Sequence, residues 1–280
     1  MNRITRRQAI TAYDPAHPQG ITRRDTLAVE EPLEIRINGT AYTLTMRTPG
    51  HDFELVHGLL AAEGIISDHN DIATIRYCAG AITDEETQTP RNTYNVLDVR
   101  LTPGLTLPEN KIRASITTSA CGVCGTASIE QLTSEQQFDL RADTTTVTAS
   151  CILDLPEKLR HTQRAFETTG GLHACGLFTA EGQLLVARED IGRHNATDKV
   201  IGWAMQNRIR PARGHILMVS GRTSFELAQK AALAGIPILA GVSAPSSLAV
   251  DVAEATGLTL AGFVRGNRMN IYAGKDRILP

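Results

Sequence analysis

The chain has 280 residues, and its 28 Lys and Arg against 30 Asp and Glu give a net charge of -2 and a pI of about 6.5. This balance lacks the basic excess that usually marks a nucleic-acid-binding surface. Hydrophobic residues make up 42% and charged residues 21%, as in ordinary globular proteins, and there is no apolar run of the ~18 residues a membrane span needs. We therefore expect a folded protein with neither a nucleic acid nor a membrane as partner.

The cysteine content points to a reducing compartment. The five cysteines are odd in number and mostly scattered, unlike the dense, even set of a small secreted domain: Cys78, Cys121, Cys124, Cys151 and Cys175. The first residues contain arginines but no apolar segment, so they do not read as a secretory signal. We expect a cytoplasmic location.

The N-terminal part is predicted to be α+β. Residues 1–24 carry five arginines and two prolines without periodicity, which predicts a flexible basic arm. In residues 25–114, Asn38-Gly39 separates two alternating segments and is typical of a type I′ hairpin turn. A helix is predicted over residues 51–63, ending before Gly64, and strands over residues 72–78 and 94–101. The apolar face predicted for that helix consists of Phe53, Val56, Leu59 and Leu60.

Residues 115–130 are predicted to form a mobile loop around Cys121-Gly-Val-Cys124. Between residues 115 and 129 there is no charged side chain, and small residues dominate. Two thiols at this spacing can share a metal, form a reversible disulfide or pass sulfur between them. The spacing alone does not choose among these. A second ligand pair, which structural zinc would need, is absent from the sequence.

Residues 131–280 are predicted to form an α/β part. Strand candidates at residues 184–187, 216–220, 236–240 and 258–264 alternate with helix candidates at residues 195–207, 224–234 and 246–256. This alternation predicts βαβ units and a mostly parallel sheet. The loops after the strands would then meet at the carboxyl edge, where such sheets bind ligands. Thr223 and Glu226 have the spacing of a capping box at the second helix.

Three segments in this part could carry chemistry. Residues 188–202, which we call the charged turn, place acids, arginines, a histidine and Lys199 close together. So many charged side chains are expected in one turn only if they form ion pairs or bind a ligand. The structural alternative is a salt-bridged turn with Asn195 as helix N-cap. His173, after Gly-Gly, is a further candidate, or a satisfied core histidine. The segment 262–268 offers an aromatic ring, a glycine and two arginines, which suit a base and phosphate oxygens; a solvated loop is the alternative.

These motifs together resemble the formate dehydrogenase accessory sulfurtransferase family, FdhD. The resemblance runs in order from about residue 23 to the C-terminus. It is carried by the segments 47–66, 121–125 (CGVCG), 169–178 (TGGLHACGLF), 188–204 (REDIGRHNATDKVIGWA), 220–237, 243–250 and 262–272 (GFVRGNRMNIY).

The resemblance implies a sulfurtransferase that takes persulfide sulfur from a cysteine desulfurase. The sulfur passes to the molybdenum cofactor, bis-molybdopterin guanine dinucleotide, which formate dehydrogenase requires. It further implies a homodimer, no structural metal and a cytidine-deaminase-like C-terminal half. The deaminase signatures H-x-E and P-C-x-x-C are absent, because Ala120 precedes Cys121 and His173-Ala-Cys175 lacks the glutamate. The fold can therefore be shared without the zinc chemistry.

The resemblance also implies roles for particular residues. Cys121 would carry the persulfide, with Cys124 as its partner. The guanine dinucleotide would be bound by Phe263, Val264, Arg265, Gly266, Asn267 and Arg268. Cys175 stands where many relatives carry alanine, and we favour a small, buried residue there. Two other functions stay open: a non-catalytic chaperone of the molybdenum cofactor with a structural Cys pair, and a zinc-binding adaptor.

Overall fold

Two sheets, one in each half of the chain, form the framework of the protein. The computed structural model describes residues 4–78, 81–83, 90–92, 94–105, 107, 129, 132 and 136–280. The predicted loop at residues 115–130, with Cys121 and Cys124, lies outside the described residues except for Ile129. In the described part, no helix is long and apolar enough to cross a membrane.

The N-terminal residues form a long β-hairpin, where the sequence predicted an irregular arm. Strands β1 (Thr5–Asp14) and β2 (His17–Ala28) pair along their length, with one irregularity near the turn. Arginines do not prevent this pairing because both strands are largely exposed and the charged side chains remain in water. The predicted boundary between residues 24 and 25 is therefore wrong, since it falls inside β2.

A four-stranded sheet follows the hairpin. Its strands are β3 (Glu31–Ile37), β4 (Thr40–Arg47), β5 (Ile72–Tyr77) and β8 (Val96–Leu101), in the order β4-β3-β8-β5; the short strands β6 (Ala81–Thr83) and β7 (Pro90–Asn92) pair separately. Between β3 and β4, Asn38 and Gly39 have φ of 52° and 84°, which confirms the predicted hairpin. A short 3-10 helix, His69–Asp71, precedes β5.

Helix α1 (Asp52–Ala62) lies between this sheet and the C-terminal half. Val56 and Leu60 are fully buried as predicted, together with Leu55, whereas the ring of Phe53 is 38% exposed. The apolar face predicted for this helix therefore omitted Leu55 and included the exposed Phe53. Because the helix is covered on two sides, polar residues such as Glu54 are buried as well.

The C-terminal half alternates strands and helices. Its elements are β9 (Val147–Thr148), α2 (Ala149–Arg160), α3 (Arg164–Thr169), β10 (His173–Thr179), β11 (Leu184–Asp190), α4 (Arg193–Gln206), β12 (His215–Val219), α5 (Phe225–Leu233), β13 (Ile238–Gly241), α6 (Ser247–Thr256), β14 (Thr259–Arg265), β15 (Arg268–Ala273) and β16 (Ile278–Leu279). The C-terminal β16 pairs in parallel with β9. The three predicted helices and four predicted strands are all present.

The six-stranded sheet has the order β11-β10-β12-β13-β14-β15. β12, β13 and β14 are parallel neighbours, while β10 is antiparallel to both β11 and β12, and β15 is antiparallel to β14. β11 therefore points the same way as β12, β13 and β14, so the four predicted strands share one direction and their carboxyl ends share one edge. The sequence analysis missed β10 and β15, and the sheet is consequently mixed.

Helices cover both faces of this sheet. α4, α5 and α6 pack on one face around residues such as Leu177 and Leu217, and α2 packs on the other against Phe178 and Val264. α4 also packs against α1, with glycine at the crossing in both helices. A Cβ on Gly202 would lie 1.8 Å from the carbonyl oxygen of Glu54, and one on Gly58 would lie 2.0 Å from that of Asp198. Only glycine lets these backbones approach so closely.

Candidate functional site

A cavity of about 790 Å³ opens at the carboxyl edge of the six-stranded sheet, beneath α2 and α3. This volume lies within the ~300–1,000 Å³ range of small-molecule sites. The cavity is lined by Leu153, Asp154, Pro156, Glu157, Leu159, Arg160, Gln163, Phe166, Gly170, Gly171, Leu172, His173, Ser220, Val242, Val264, Arg265 and Gly266. The position agrees with the ligand edge predicted from the sequence.

The outer wall of the cavity depends on a carboxylate from the charged turn. Glu189 accepts hydrogen bonds from the backbone N–H groups of Ala165 (3.0 Å) and Phe166 (2.7 Å), which begin α3. An acceptor at this position satisfies N–H groups that have no partner inside a helix. The guanidinium of Arg160 lies over the Phe166 ring at 4.7 Å. Glu189, Arg160 and Phe166 therefore hold the wall, and sequence reasoning had singled out none of them individually.

His173 lies at the edge of the cavity, at the start of β10. The next residue, Ala174, donates its N–H to the Ser220 hydroxyl at 2.8 Å, which joins β10 to the loop after β12. A Cβ on Gly221 would lie 3.3 Å from Nδ1 of His173, so the glycine makes room for the ring. Burial, with Arg193, His194 and Arg222 nearby, lowers the pKa of His173. The surroundings of His173 therefore disfavour the charged form of its imidazole.

The segment predicted to bind guanine is the turn between β14 and β15. Arg265 pairs with Arg268 across it, and Gly266 has a φ of 56°. Phe263 has a φ of 53°, within an irregularity of the β14–β15 pairing, and the Arg265 guanidinium lies 5.5 Å from its ring. Gly262 lies closely beneath Pro245, whose Cδ a Cβ would approach to 2.9 Å.

The structure brings only part of this segment to the cavity. Val264, Arg265 and Gly266 line it, while Phe263, Asn267 and Arg268 lie outside the lining. Val264 is fully buried in the core beside α2, and Arg265 and Arg268 are exposed. Arg265 is therefore the one charged side chain of this turn that lies in the cavity lining.

Much of the charged turn forms ion pairs that join the two halves. Arg188 donates to both carboxylate oxygens of Glu54 at 2.5 and 2.6 Å. Lys199 lies 2.7 Å from Asp190, and both side chains are buried. These residues therefore form the salt-bridged turn that was the structural alternative, but Asn195 is not the N-cap of α4. The helix begins after Gly192, and the Asn195 side chain donates instead to the Met46 carbonyl oxygen at 2.7 Å.

The predicted capping box at α5 is also wrong. The N-cap is Ser224, one residue later than expected, and its side chain makes no cap hydrogen bond. The Thr223 hydroxyl is buried and finds no hydrogen-bond partner within the described part of the chain. Glu226 instead forms an ion pair with His194, 2.8 Å away, because His194 at the start of α4 faces the start of α5.

Two of the three described cysteines, Cys175 and Cys151, are shielded from reaction. Cys175 is fully buried in β10, and burial raises the pKa of its thiol to about 12. Burial also raises the pKa of Cys151, whose thiol donates to the Ala180 carbonyl oxygen. Because a thiol is nucleophilic only as thiolate, both are poorly suited to accept sulfur at neutral pH. Among the described residues, no three metal-ligating side chains converge on one point.

The family model and the similar proteins point to the same family. The model of the FdhD/NarQ family matches residues 28–279. A protein named sulfur carrier protein FdhD from Mycolicibacterium paratuberculosis is 54% identical over 276 residues, covering 98% of this chain and 99% of the relative. One of the same name from Streptomyces coelicolor is 52% identical over 282 residues, covering 99% and 97% of the two chains.

A solved structure shares the fold. It is the crystal structure of a protein described as a formate dehydrogenase accessory protein from Desulfotalea psychrophila. It superposes with a TM-score of 0.75 at 24% sequence identity, covering 99% of this chain and 100% of the other. The two proteins therefore share this mixed α/β fold.

Proposed function

The chain belongs to the FdhD/NarQ family, and from this premise we propose that it is a sulfurtransferase that serves formate dehydrogenase. In this proposal it takes persulfide sulfur from a cysteine desulfurase and delivers it to the molybdenum cofactor, bis-molybdopterin guanine dinucleotide. The relatives' name, sulfur carrier protein, supports the sulfur-transfer part. The observation that carries the cofactor part is the cavity at the carboxyl edge, with Arg265 and Gly266 in its lining.

Sulfur acceptance falls to Cys121. Its thiolate attacks the terminal sulfur of the desulfurase persulfide, a new S–S bond forms on Cys121, and the desulfurase leaves as a thiolate. The Cys-x-x-Cys spacing places a second thiol within reach along the chain. No Lys or Arg occurs between residues 114 and 140, so a positive group near the thiolate has to come from another part of the folded chain or from a partner protein.

Delivery requires two electrons, because the terminal sulfur of a persulfide leaves as sulfide. Cys124 can supply them: its thiolate attacks the Cys121 sulfur, the terminal sulfur departs to the cofactor as sulfide, and a Cys121–Cys124 disulfide remains. A dithiol reductant then restores both thiols. Atoms and electrons balance without a resident metal. A chaperone that only escorts the cofactor would perform neither of these sulfur-transfer steps.

We further propose that the working unit is a homodimer.

The transfer step is tested by intact-protein mass spectrometry after incubation with a cysteine desulfurase and cysteine. We expect the wild-type chain to gain sulfur in steps of one atom, removable by a thiol reductant. A chain that gains no sulfur yet binds the cofactor would be the chaperone instead. Stoichiometric zinc in the same purified protein would favour the zinc-binding adaptor.

Cofactor binding is tested at Arg265. Replacing Arg265 with alanine removes donors to ligand oxygens, and a charge-assisted hydrogen bond is worth roughly 1.5–3 kcal/mol, or ~10- to 150-fold in affinity. We expect a loss of this size for GDP, a stand-in for one half of the cofactor, in calorimetric titrations. Arg213→Ala is the control, because Arg213 is exposed and precedes β12 at the opposite edge of the sheet. Equal GDP binding by both variants would place the site elsewhere.

A further inference from the structure

The β1–β2 hairpin exposes most of its surface to solvent. The two strands pair along their length, yet no residue of either strand is buried within the described part of the protein. At ~3.3 Å per residue, the 12 residues of β2 extend ~40 Å. Apart from each other, the strands make their main contact through β2, which packs against α3. Because a two-stranded hairpin is only marginally stable in water, a surface that covers it would stabilise it.

One face of the hairpin combines arginines with aliphatic side chains. Residues paired across antiparallel strands point to the same side, and neighbours along a strand alternate between the two sides. We call one such side the hairpin face; its members are the paired residues Arg6 and Leu27, Gln8 and Asp25, Ile10 and Arg23, and Ala12 and Ile21. The two arginines are exposed, and Ile21 and Leu27 are 38% and 37% exposed. Large aliphatic side chains therefore lie in water on this face, next to positive charge.

The hairpin begins at the outer wall of the cavity. A Cβ on Gly171, which lines the cavity, would lie 3.8 Å from the Cβ of Ala28 in β2. α3, against which β2 packs, supplies Phe166 to the same lining. Because Ala28 and its neighbour Leu27 point to opposite sides of the strand, the hairpin face turns away from this wall. A protein bound to the hairpin face is thereby held beside the mouth of the cavity.

The charge of the hairpin is opposite to that of the rest of the chain. Residues 1–28 contain five arginines and two aspartates, a net charge of +3, so the remainder of the chain carries −5. The ion pair of the hairpin joins His17 and Asp14 at its turn, and among the described residues its arginines form none. An acidic protein is therefore attracted to the hairpin and repelled by the net charge of the remainder. Aliphatic side chains beside arginines are typical of the centre of a protein interface, whereas phosphate contacts use charged and polar groups.

We propose that the hairpin face binds an acidic surface of the enzyme that receives the cofactor, and holds that enzyme at the mouth of the cavity. This inference rests on the proposed function, in which the sulfurated cofactor goes on to formate dehydrogenase. The receiving enzyme has to approach the mouth, because the cofactor would otherwise cross open solvent between the two proteins. The hairpin extends from that mouth and carries charge opposite to the rest of the chain, so it fits an acidic partner at this place.

The test measures the affinity of the full chain for formate dehydrogenase that lacks its molybdenum cofactor. The titrations use ~0.3 M salt, at which attraction beyond ~8 Å is screened and direct contacts dominate. We expect Arg6→Glu combined with Arg23→Glu to weaken binding at least ~10-fold, because two favourable contacts become repulsive. Arg7→Glu combined with Arg24→Glu is the matched control, with the same charge change in the same strands on the opposite face, and should change the affinity less than ~3-fold. Arg6→Gln combined with Arg23→Gln repeats the test without adding negative charge.

The outcomes separate this inference from the proposed function. Sulfur uptake and GDP binding should stay at the wild-type level in all variants; their failure in the wild-type chain would count against the proposed function instead. Equal losses of formate dehydrogenase binding in the hairpin-face and control variants, or no loss in either, would overturn the inference and leave the proposed function standing. Loss of desulfurase binding instead would assign the hairpin face to the sulfur donor, and a change from dimer to monomer in light scattering would assign it to a second copy. Either result would overturn the inference.

Discussion

Replacing Cys121 with alanine is expected to abolish sulfur uptake and to reduce formate dehydrogenase activation to the level without the protein. A persulfide needs a thiolate that can reach the donor, and the described alternatives are poor. Cys175 is fully buried with a pKa raised to about 12, and the pKa of Cys151 is raised by burial as well. No other described cysteine combines exposure with a position at the cavity edge, since Cys78 follows β5 in the N-terminal sheet.

The measurement is intact mass after exposure to a desulfurase and cysteine, followed by the activity of a co-expressed formate dehydrogenase. Cys151→Ala is the control and should keep both sulfur uptake and activation. Cys124→Ala should accept sulfur on Cys121 but fail to release it, because the electron-supplying thiol is gone. A reducible sulfur adduct on the Cys121→Ala chain, with activation preserved, would contradict the assignment.

Replacing Lys199 with methionine is expected to lower the free energy of unfolding by about 3 to 5 kcal/mol, the usual cost of removing one partner of a buried ion pair. The ammonium lies 2.7 Å from Asp190 and 2.9 Å from the Thr48 carbonyl oxygen, and both charged side chains are at most 1% exposed. Without Lys199, a carboxylate remains buried. Since Thr48 belongs to the loop before α1, the contact between the two halves weakens too.

Chemical denaturation at pH 7 measures this loss. Lys275→Met, at an exposed position in the short 3-10 helix near the C-terminus, should change stability by no more than about 1 kcal/mol. Adding Asp190→Asn to Lys199→Met should recover part of the loss, because the uncompensated charge is then removed. A Lys199→Met chain within about 1 kcal/mol of wild type would show that this pair does not hold the halves together.

Local chemistry determined several parts of this protein from the sequence alone. Asn38-Gly39 supplies the two positive φ angles of the β3–β4 hairpin, as this dipeptide does in type I′ turns. The alternation of apolar strand segments with helix segments likewise predicted a mostly parallel sheet, and the four predicted strands do share one direction. Because the strands share a direction, their carboxyl ends lie at one edge of the sheet, and the cavity with Arg265 and Gly266 lies at that edge.

Other features depended on distant partners, which only the tertiary structure decided. β10 is buried on both sides and contains Gly176, so it shows no alternation, and its place between β11 and β12 follows from packing. From the sequence, the charged turn could be a ligand site or a salt-bridged turn, and contacts with Glu54 in α1 and with the Thr48 loop make most of it salt-bridged. They hold Arg188, Asp190 and Lys199 in ion pairs and hydrogen bonds, and leave the buried Nε of Arg193 without a hydrogen-bond acceptor among the described residues. Sequence spacing cannot show this division, because the partners lie more than 130 residues away.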